Sequence, residues 1–206
     1  LLDGTEKLIT EHKEISVYIN ENKSWIFTSS LFTDGVQVGL SEDYKTISVY
    51  IEKPENRLSE QILRNLLRTV FECIMALKSR ISLHSACVDV NGEAIAFTGV
   101  SGMGKSTRAN AWVLSDDTEF ISGDRPALHL SKDGVAAYGV PWDGKEQIFR
   151  NVKRPLKAIL DVRRSDSDYL RKLSTEQAQS LLMKQIFIPM WDTNVAVMAI
   201  MNIRKL

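Results

Sequence analysis

The residues whose types and spacing point most directly to chemistry are Gly99-Val100-Ser101-Gly102-Met103-Gly104-Lys105-Ser106, followed by Thr107. They match the phosphate-binding pattern G-x-x-x-x-G-K-S/T at every fixed position. Glycines let a backbone curl until successive N–H groups face one concavity that suits anionic oxygens. Ser101, Gly102, Met103 and Gly104 would supply such groups here. A helix starting at this point adds the positive end of its dipole. Lys105 is placed to reach the β- and γ-phosphates of a nucleotide, and the Ser106 hydroxyl to ligate Mg2+. ATP and Mg2+ are therefore the expected cofactors.

Other residues could act beside this loop. Asp124 follows the apolar stretch Glu119-Phe120-Ile121-Ser122 and Gly123, with room for a single helix after Lys105. A carboxylate ending an apolar strand near a phosphate loop suits Mg2+ binding or base catalysis. The alternative is a turn aspartate before Arg125-Pro126. His84 lies early in an apolar stretch, where a histidine has both structural and functional uses. Pro141-Trp142-Asp143-Gly144-Lys145-Glu146 gathers an aromatic ring, two carboxylates and a lysine, as a site-lining loop or a surface turn. Arg150, Lys153 and Arg154 form a basic cluster that faces either phosphate or solvent. Cys73 and Cys87 have no disulfide or zinc spacing and read as buried small hydrophobes.

The elements that must hold these residues can be read from the pattern. Glu93–Thr98 predicts a buried strand entering the loop, and Arg108–Leu114 a helix leaving it. Ile81–Val90 reads as one strand, joined by the hairpin signal Asn91-Gly92 to the strand before the loop. That pairing would carry His84 toward the site. Further on, 127–130 and 135–140 predict strands around a Lys132-Asp133-Gly134 turn, and Pro155–Val162 another, followed by a charged loop from Arg163 to Asp168. Ser174-Thr175-Glu176 opens a helix that runs toward Pro189. Val195–Ile203 is apolar and fits helix or strand.

Upstream, residues 1–13 are polar without a strong period. Ile15, Val17 and Ile19 alternate with polar neighbours as a strand does. Glu21-Asn22-Lys23 turns the chain into Trp25-Ile26-Phe27, Thr33-Asp34-Gly35 turns it again, and strands follow at Val36–Leu40 and 46–51. From Ser59 to Leu77, apolar residues recur every three or four positions, which predicts an amphipathic helix whose Arg64, Arg68 and Lys78 are solvated. The expectation is a β-rich subregion over 1–57 and a nucleotide-binding core over 58–206, together forming one compact α/β unit.

The bulk composition is ordinary for a globular chain of 206 residues, with 44% hydrophobic and 25% charged residues and zero formal net charge. No electrostatic footprint argues for nucleic acid, and no apolar run or leader argues for a membrane, so a cytoplasmic protein is expected.

From Leu83 to Glu146 the sequence resembles the nucleotide-binding core shared by HPr kinase/phosphorylases and phosphoenolpyruvate carboxykinases. The features that carry the resemblance are Leu83-His84-Ser85-Ala86, the phosphate loop, and the early acid in Ser122-Gly123-Asp124. Common P-loop NTPases place the corresponding aspartate after a longer excursion. Gly139 to Glu146 is similar to a segment of small bacterial proteins related to HPr kinase. The resemblance implies a phosphoenolpyruvate carboxykinase-like P-loop core with a mixed β-sheet and flanking helices. It implies that Gly99, Gly102, Gly104, Lys105 and Ser106 hold phosphate, with Thr107 beside the metal-binding hydroxyl. It gives His84 a place near the metal and the transferred phosphate, and Asp124 the role of metal ligand or base.

Two departures accompany the match. Gly123 stands where both families carry the first acid of a pair, which leaves Asp143 and Glu146 as candidate helpers. The glycine-rich C-terminal signature by which HPr kinase recognises its protein substrate has no counterpart. The expected activity is phosphoryl transfer from Mg-ATP to a hydroxyl of a protein, peptide or small molecule, with a homo-oligomer left open. A catalytically decayed nucleotide-binding regulatory module is the alternative. Carboxykinase-like decarboxylation would need a further substrate domain and an oxaloacetate-binding arginine set, which the sequence does not offer.

Overall fold

The structure is a computed structural model that describes residues 2–12, 14–30, 35–114, 117–142, 148–167 and 169–206. Thr33, Asp34, Asp143, Gly144, Lys145, Glu146 and Asp168, which figure in the expectations above, lie outside the described residues. The chain is mixed α/β, with two sheets and four helices among the described residues. It divides into two compact units, Leu1–Ile74 with Met190–Thr193, and Met75–Pro189 with Asn194–Leu206.

The first unit is built on an antiparallel meander. Its strands are β1 (Lys7–His12), β2 (Ile15–Ile19), β3 (Trp25–Ser29), β4 (Val36–Leu40) and β5 (Ile47–Ile51), paired in chain order. The sequence offered no strand in 1–13, yet β1 is there. It is an edge strand with a register shift between Leu8 and Thr10, and backbone pairing with β2 holds it without apolar alternation. Helix α1 (Arg57–Leu77) contributes Ile62, Leu66 and Val70 to a core shared with Val17, Phe27, Val38 and Leu40. The compact units divide at 74/75, with most of α1 burying its apolar stripe against the meander. Trp191 returns from far along the chain to meet the Phe27 ring edge-on at 6.1 Å, and the Tyr44 hydroxyl donates to Asp192.

The second unit holds a seven-stranded mixed sheet in the order β6-β10-β11-β12-β8-β7-β9. These strands are β6 (Arg80–Ser82), β7 (Ser85–Val90), β8 (Glu93–Thr98), β9 (Thr118–Ser122), β10 (Ala127–Ser131), β11 (Gly134–Tyr138) and β12 (Lys153–Asp161). Only the β12–β8 pair is parallel among the strand pairs described. Helices α2 (Lys105–Val113), α3 (Thr175–Gln185) and α4 (Thr193–Arg204) complete the element list. One core cluster gathers Leu83, Ile121, Leu128, Leu182 and Ile203, and another gathers Ala86, Val88, Phe97, Ala109 and Phe120. α3 starts at a capping box: Ser174 Oγ accepts from the Gln177 N–H, and the Gln177 side chain accepts from the Ser174 N–H. The ambiguous 195–203 stretch is helix, and its buried residues Val195, Ala196, Ala199, Asn202 and Ile203 recur at helical spacing.

The single strand expected over Ile81–Val90 is two strands. β6 pairs with β10, whereas β7 pairs with β8 and β9, so the chain changes partners at Leu83-His84. The N–H groups released there find other acceptors. Leu83 donates to the Pro126 carbonyl at 3.3 Å and His84 to the Gln185 carbonyl at 2.9 Å. No helix of the described residues is long and apolar enough to cross a membrane.

Candidate nucleotide-phosphate site

The site begins with a two-residue hairpin. Asn91 and Gly92 both have positive φ, at 51° and 85°, as a type I′ turn between twisted strands requires. The turn fixes the register, pairing Ser85 with Thr98, so His84 is carried level with the start of the phosphate loop. Thr98 Oγ1 donates to the His84 carbonyl at 3.0 Å and ties the two strand ends together.

β8 then delivers the chain into the loop. Gly99 has φ 138°, and a Cβ there would come within 2.8 Å of the Val162 carbonyl oxygen, so the loop leaves the sheet where only glycine fits. Gly104 is the N-cap of α2, in the left-handed region with φ 92°. It gives no side-chain cap, and the first turn of α2 carries no acidic residue. Helix geometry leaves the first N–H groups of α2 without intrahelical acceptors, so those of Lys105, Ser106 and Thr107 face outward with the helix dipole behind them. Lys105 Nζ folds back over this mouth and donates to the carbonyls of Gly99 and Val100, at 3.1 and 3.4 Å. Burial is the main cause holding the lysine below its ordinary pKa. Asp124 pulls it up and Arg125 pushes it down.

Asp124 arrives from β9, which pairs with β7 on the side away from β8. Ser122 Oγ donates to the Asp124 carbonyl at 2.5 Å, and the Gly123 N–H to the Ile148 carbonyl at 2.7 Å. The Asp124 Oδ1 lies 3.8 Å from His84 Nε2, with both side chains about a third exposed. Burial lowers the His84 pKa most. The Asp124 carboxylate opposes this, Lys105 and Arg125 add to it, and a hydrogen bond with the Gln185 side chain opposes it. His84, Lys105 and Asp124 therefore share one electrostatic neighbourhood, although they come from separate sections of chain.

On the other flank stands a residue that the sequence reading passed over. β12 runs parallel to β8 with Asp161 opposite Thr98, and the Val162 N–H donates to the Thr98 carbonyl at 2.8 Å. The Asp161 side chain is largely buried and binds Arg163 Nε at 2.6 Å. Its Oδ1 lies 3.3 Å from where a Gly99 Cβ would sit. Arg164 Nη2 donates to the Gly102 carbonyl at 3.4 Å. The signal was present, since Asp161 also closes an apolar strand, as Asp124 nearly does. Only the parallel pairing, which is non-local, brings it to the loop.

The basic cluster faces no phosphate loop. Arg150 pairs with Glu119 at 2.5 Å, Arg154 with Asp89 at 2.6 Å, and Lys153 Nζ lies 6.0 Å from the Tyr138 ring centroid. Both cysteines are buried. Desolvation raises both thiols, with Cys87 pushed up to about 12, so neither is a ready nucleophile.

The residues present suit a nucleotide's phosphates and a bridging Mg2+. The uncapped N-terminus of α2 is an anion cradle. Among the described residues no cluster of three or more His, Cys, Asp or Glu could hold a metal alone. One hydroxyl and one carboxylate, Ser106 and Asp124, is a donor set for a cation that keeps waters and shares substrate phosphate oxygens.

The chain is thus a mixed α/β protein carrying a strand–glycine-rich loop–helix unit. No protein-family model matches it, and no curated protein matches it by sequence.

Proposed function

We propose that this chain is a Mg-ATP-dependent kinase that transfers a phosphoryl group to a hydroxyl, on a core of the HPr kinase/phosphorylase and phosphoenolpyruvate carboxykinase type. The acceptor is a serine or threonine of a protein or peptide, or a small-molecule alcohol. The observation that carries the reading is the approach of His84 and Asp124 to 3.8 Å beside a phosphate loop whose lysine senses the same carboxylate. Transfer to a hydroxyl needs a carboxylate placed to orient the acceptor and take its proton.

In this mechanism the loop N–H groups and Lys105 bind the donor phosphates and spread their charge. Ser106 and Asp124 would hold Mg2+, which would supply positive charge to offset the negative charge of the transferring phosphoryl group. Asp124 orients the acceptor hydroxyl and takes its proton. The acceptor oxygen bonds to the γ-phosphorus, and the bond to the β–γ bridging oxygen breaks with its electron pair leaving on ADP. His84, kept neutral by burial, steadies Asp124 without placing a second cation in the site. A kinase drawing on ATP also carries a cytoplasmic location with it.

Asp124→Asn should cut phosphoryl transfer by about 10²–10⁴-fold, with a smaller loss of Mg-ATP affinity because an amide is a weaker Mg2+ ligand than a carboxylate. The readout is labelled ATP incubated with a peptide and metabolite extract, alongside calorimetry. Undiminished transfer by this variant would defeat the assignment.

Gly123 favours a second reading. Its N–H is spent on Ile148, and it brings no carboxylate where a paired acid would stand. A nucleotide-binding regulatory module without catalysis would show Mg-ATP binding with neither ADP release nor transfer to any acceptor.

A further inference from the structure

The meander of the first unit uses one pentapeptide twice. Ile-Ser-Val-Tyr-Ile is β2, at Ile15–Ile19, and again β5, at Ile47–Ile51. β2 runs between β1 and β3, whereas β5 has a described neighbour on one side alone, β4. Burial shows the difference. Val17 is fully buried, and its counterpart Val49 is 47% exposed. Ile47 and Val49 stand opposite the buried Leu40 and Val38 of β4. Opposed residues of an antiparallel pair share a face, so Ile47 and Val49 carry the apolar face of the sheet out to its edge.

The backbone of β5 is equally open. The Ser41 N–H donates to the Thr46 carbonyl at 3.0 Å, and the Glu52 N–H to the Gly35 carbonyl at 3.3 Å. Bonding alternates along an antiparallel pair, so Ser48 and Tyr50 also turn toward β4. Ile47, Val49 and Ile51 therefore direct their N–H and C=O groups outward. Natural edge strands are commonly guarded by charges, a proline or a bulge. β1, at the opposite edge, has Lys7, Glu11 and a register shift. β5 is uncharged, and its register with β4 is unbroken.

We infer that β5 is an interface with a second copy of this chain, formed by antiparallel pairing of the two β5 strands about a two-fold axis at Val49. The strand specifies this occupant because its side-chain character reads nearly the same in both directions. Val49 then faces Val49 of the second copy, and Ile47 faces its Ile51. Each of these facing pairs exchanges both main-chain hydrogen bonds. Ser48 faces Tyr50 on the other side of the sheet. The two meanders become one continuous sheet, and the two-fold axis closes the assembly at a dimer. Lys45 and Lys53 fall outside the paired stretch, and Lys45 is engaged by Asp43 at 3.3 Å. With zero formal net charge on the chain, no long-range repulsion holds the copies apart.

Sedimentation velocity and NMR amide exchange on the full chain test the inference. The unmodified protein should pass from monomer to dimer between about 1 μM and 1 mM, with no larger species. On concentration, the amides of Ile47, Val49 and Ile51 should exchange at least about tenfold more slowly, while those of Ser48 and Tyr50 change little. This readout needs no variant, so it stands even if a substitution prevents folding. Val49→Lys and Val49→Glu each set like charges face to face and should be monomeric, whereas an equimolar mixture of the two should pair. Val49→Thr should still dimerise. A protein that stays monomeric up to about 1 mM would overturn the inference. So would a dimer that survives Val49→Lys, or exchange at Ile47, Val49 and Ile51 that does not depend on concentration.

Discussion

At the scale of residues, the behaviour of His84 is set by competition. Burial and the nearby Lys105 and Arg125 disfavour its cation, and Asp124 favours it; burial is the largest cause, so the pKa falls below the ordinary 6.5. An NMR titration should find the His84 ring with a pKa under 6.5, and lower still in Asp124→Asn, where the opposing carboxylate charge is gone. An unchanged value in that variant would show that the two side chains do not interact. Because the folded protein resists protonating this ring, the contribution to stability is fully present above pH 6.5 and shrinks as the pH falls below it. Gly123 is the other decisive position. It leaves Asp124 as the single carboxylate between Ser122 and Arg125, so on the proposed kinase reading base and metal duties would both fall on one side chain.

At the scale of elements, local signals were legible and non-local ones were not. The Asn91-Gly92 hairpin could be read because two residues dictate both turn type and register. The helix through Leu66 and Val70 could be read because its period repeats over many residues. β1 could not, since an edge strand borrows its order from β2. The break at Leu83-His84 could not either, because it depends on β10 and on the Gln185 carbonyl, far along the chain. Of the site, the loop, Asp124 and His84 were legible, whereas Asp161 needed the parallel β8–β12 pairing. Gly139 shows how tightly distant elements meet. A Cβ there would collide with the Arg150 carbonyl and come within 2.6 Å of the Ile121 carbonyl, and backbone has little room to yield. Gly139→Ala should therefore cost at least about 1–3 kcal/mol, read as a lower urea midpoint. A neutral result would mean that the crossing of these three segments is looser than described.

At the scale of the molecule, two units each bury their own core. Phe27 is fully buried in the first, so Phe27→Ala should destabilise that unit by about 3–5 kcal/mol. Tryptophan fluorescence is a suitable probe, because Trp191 packs edge-on against the removed ring. The nucleotide affinity proposed for the second unit should be unchanged under conditions where the variant stays folded. The four residues 190–193 that belong to the first unit also bear on how the protein is made. Translation proceeds at about 5–20 residues per second, so they reach the nascent chain on the order of ten seconds after Ile74. During that interval the meander has its helix but not Trp191 or Asp192. The first unit is thus completed only after residues 75–189 of the second have been made, and a nascent chain stalled before Trp191 would leave its apolar face open to chaperones.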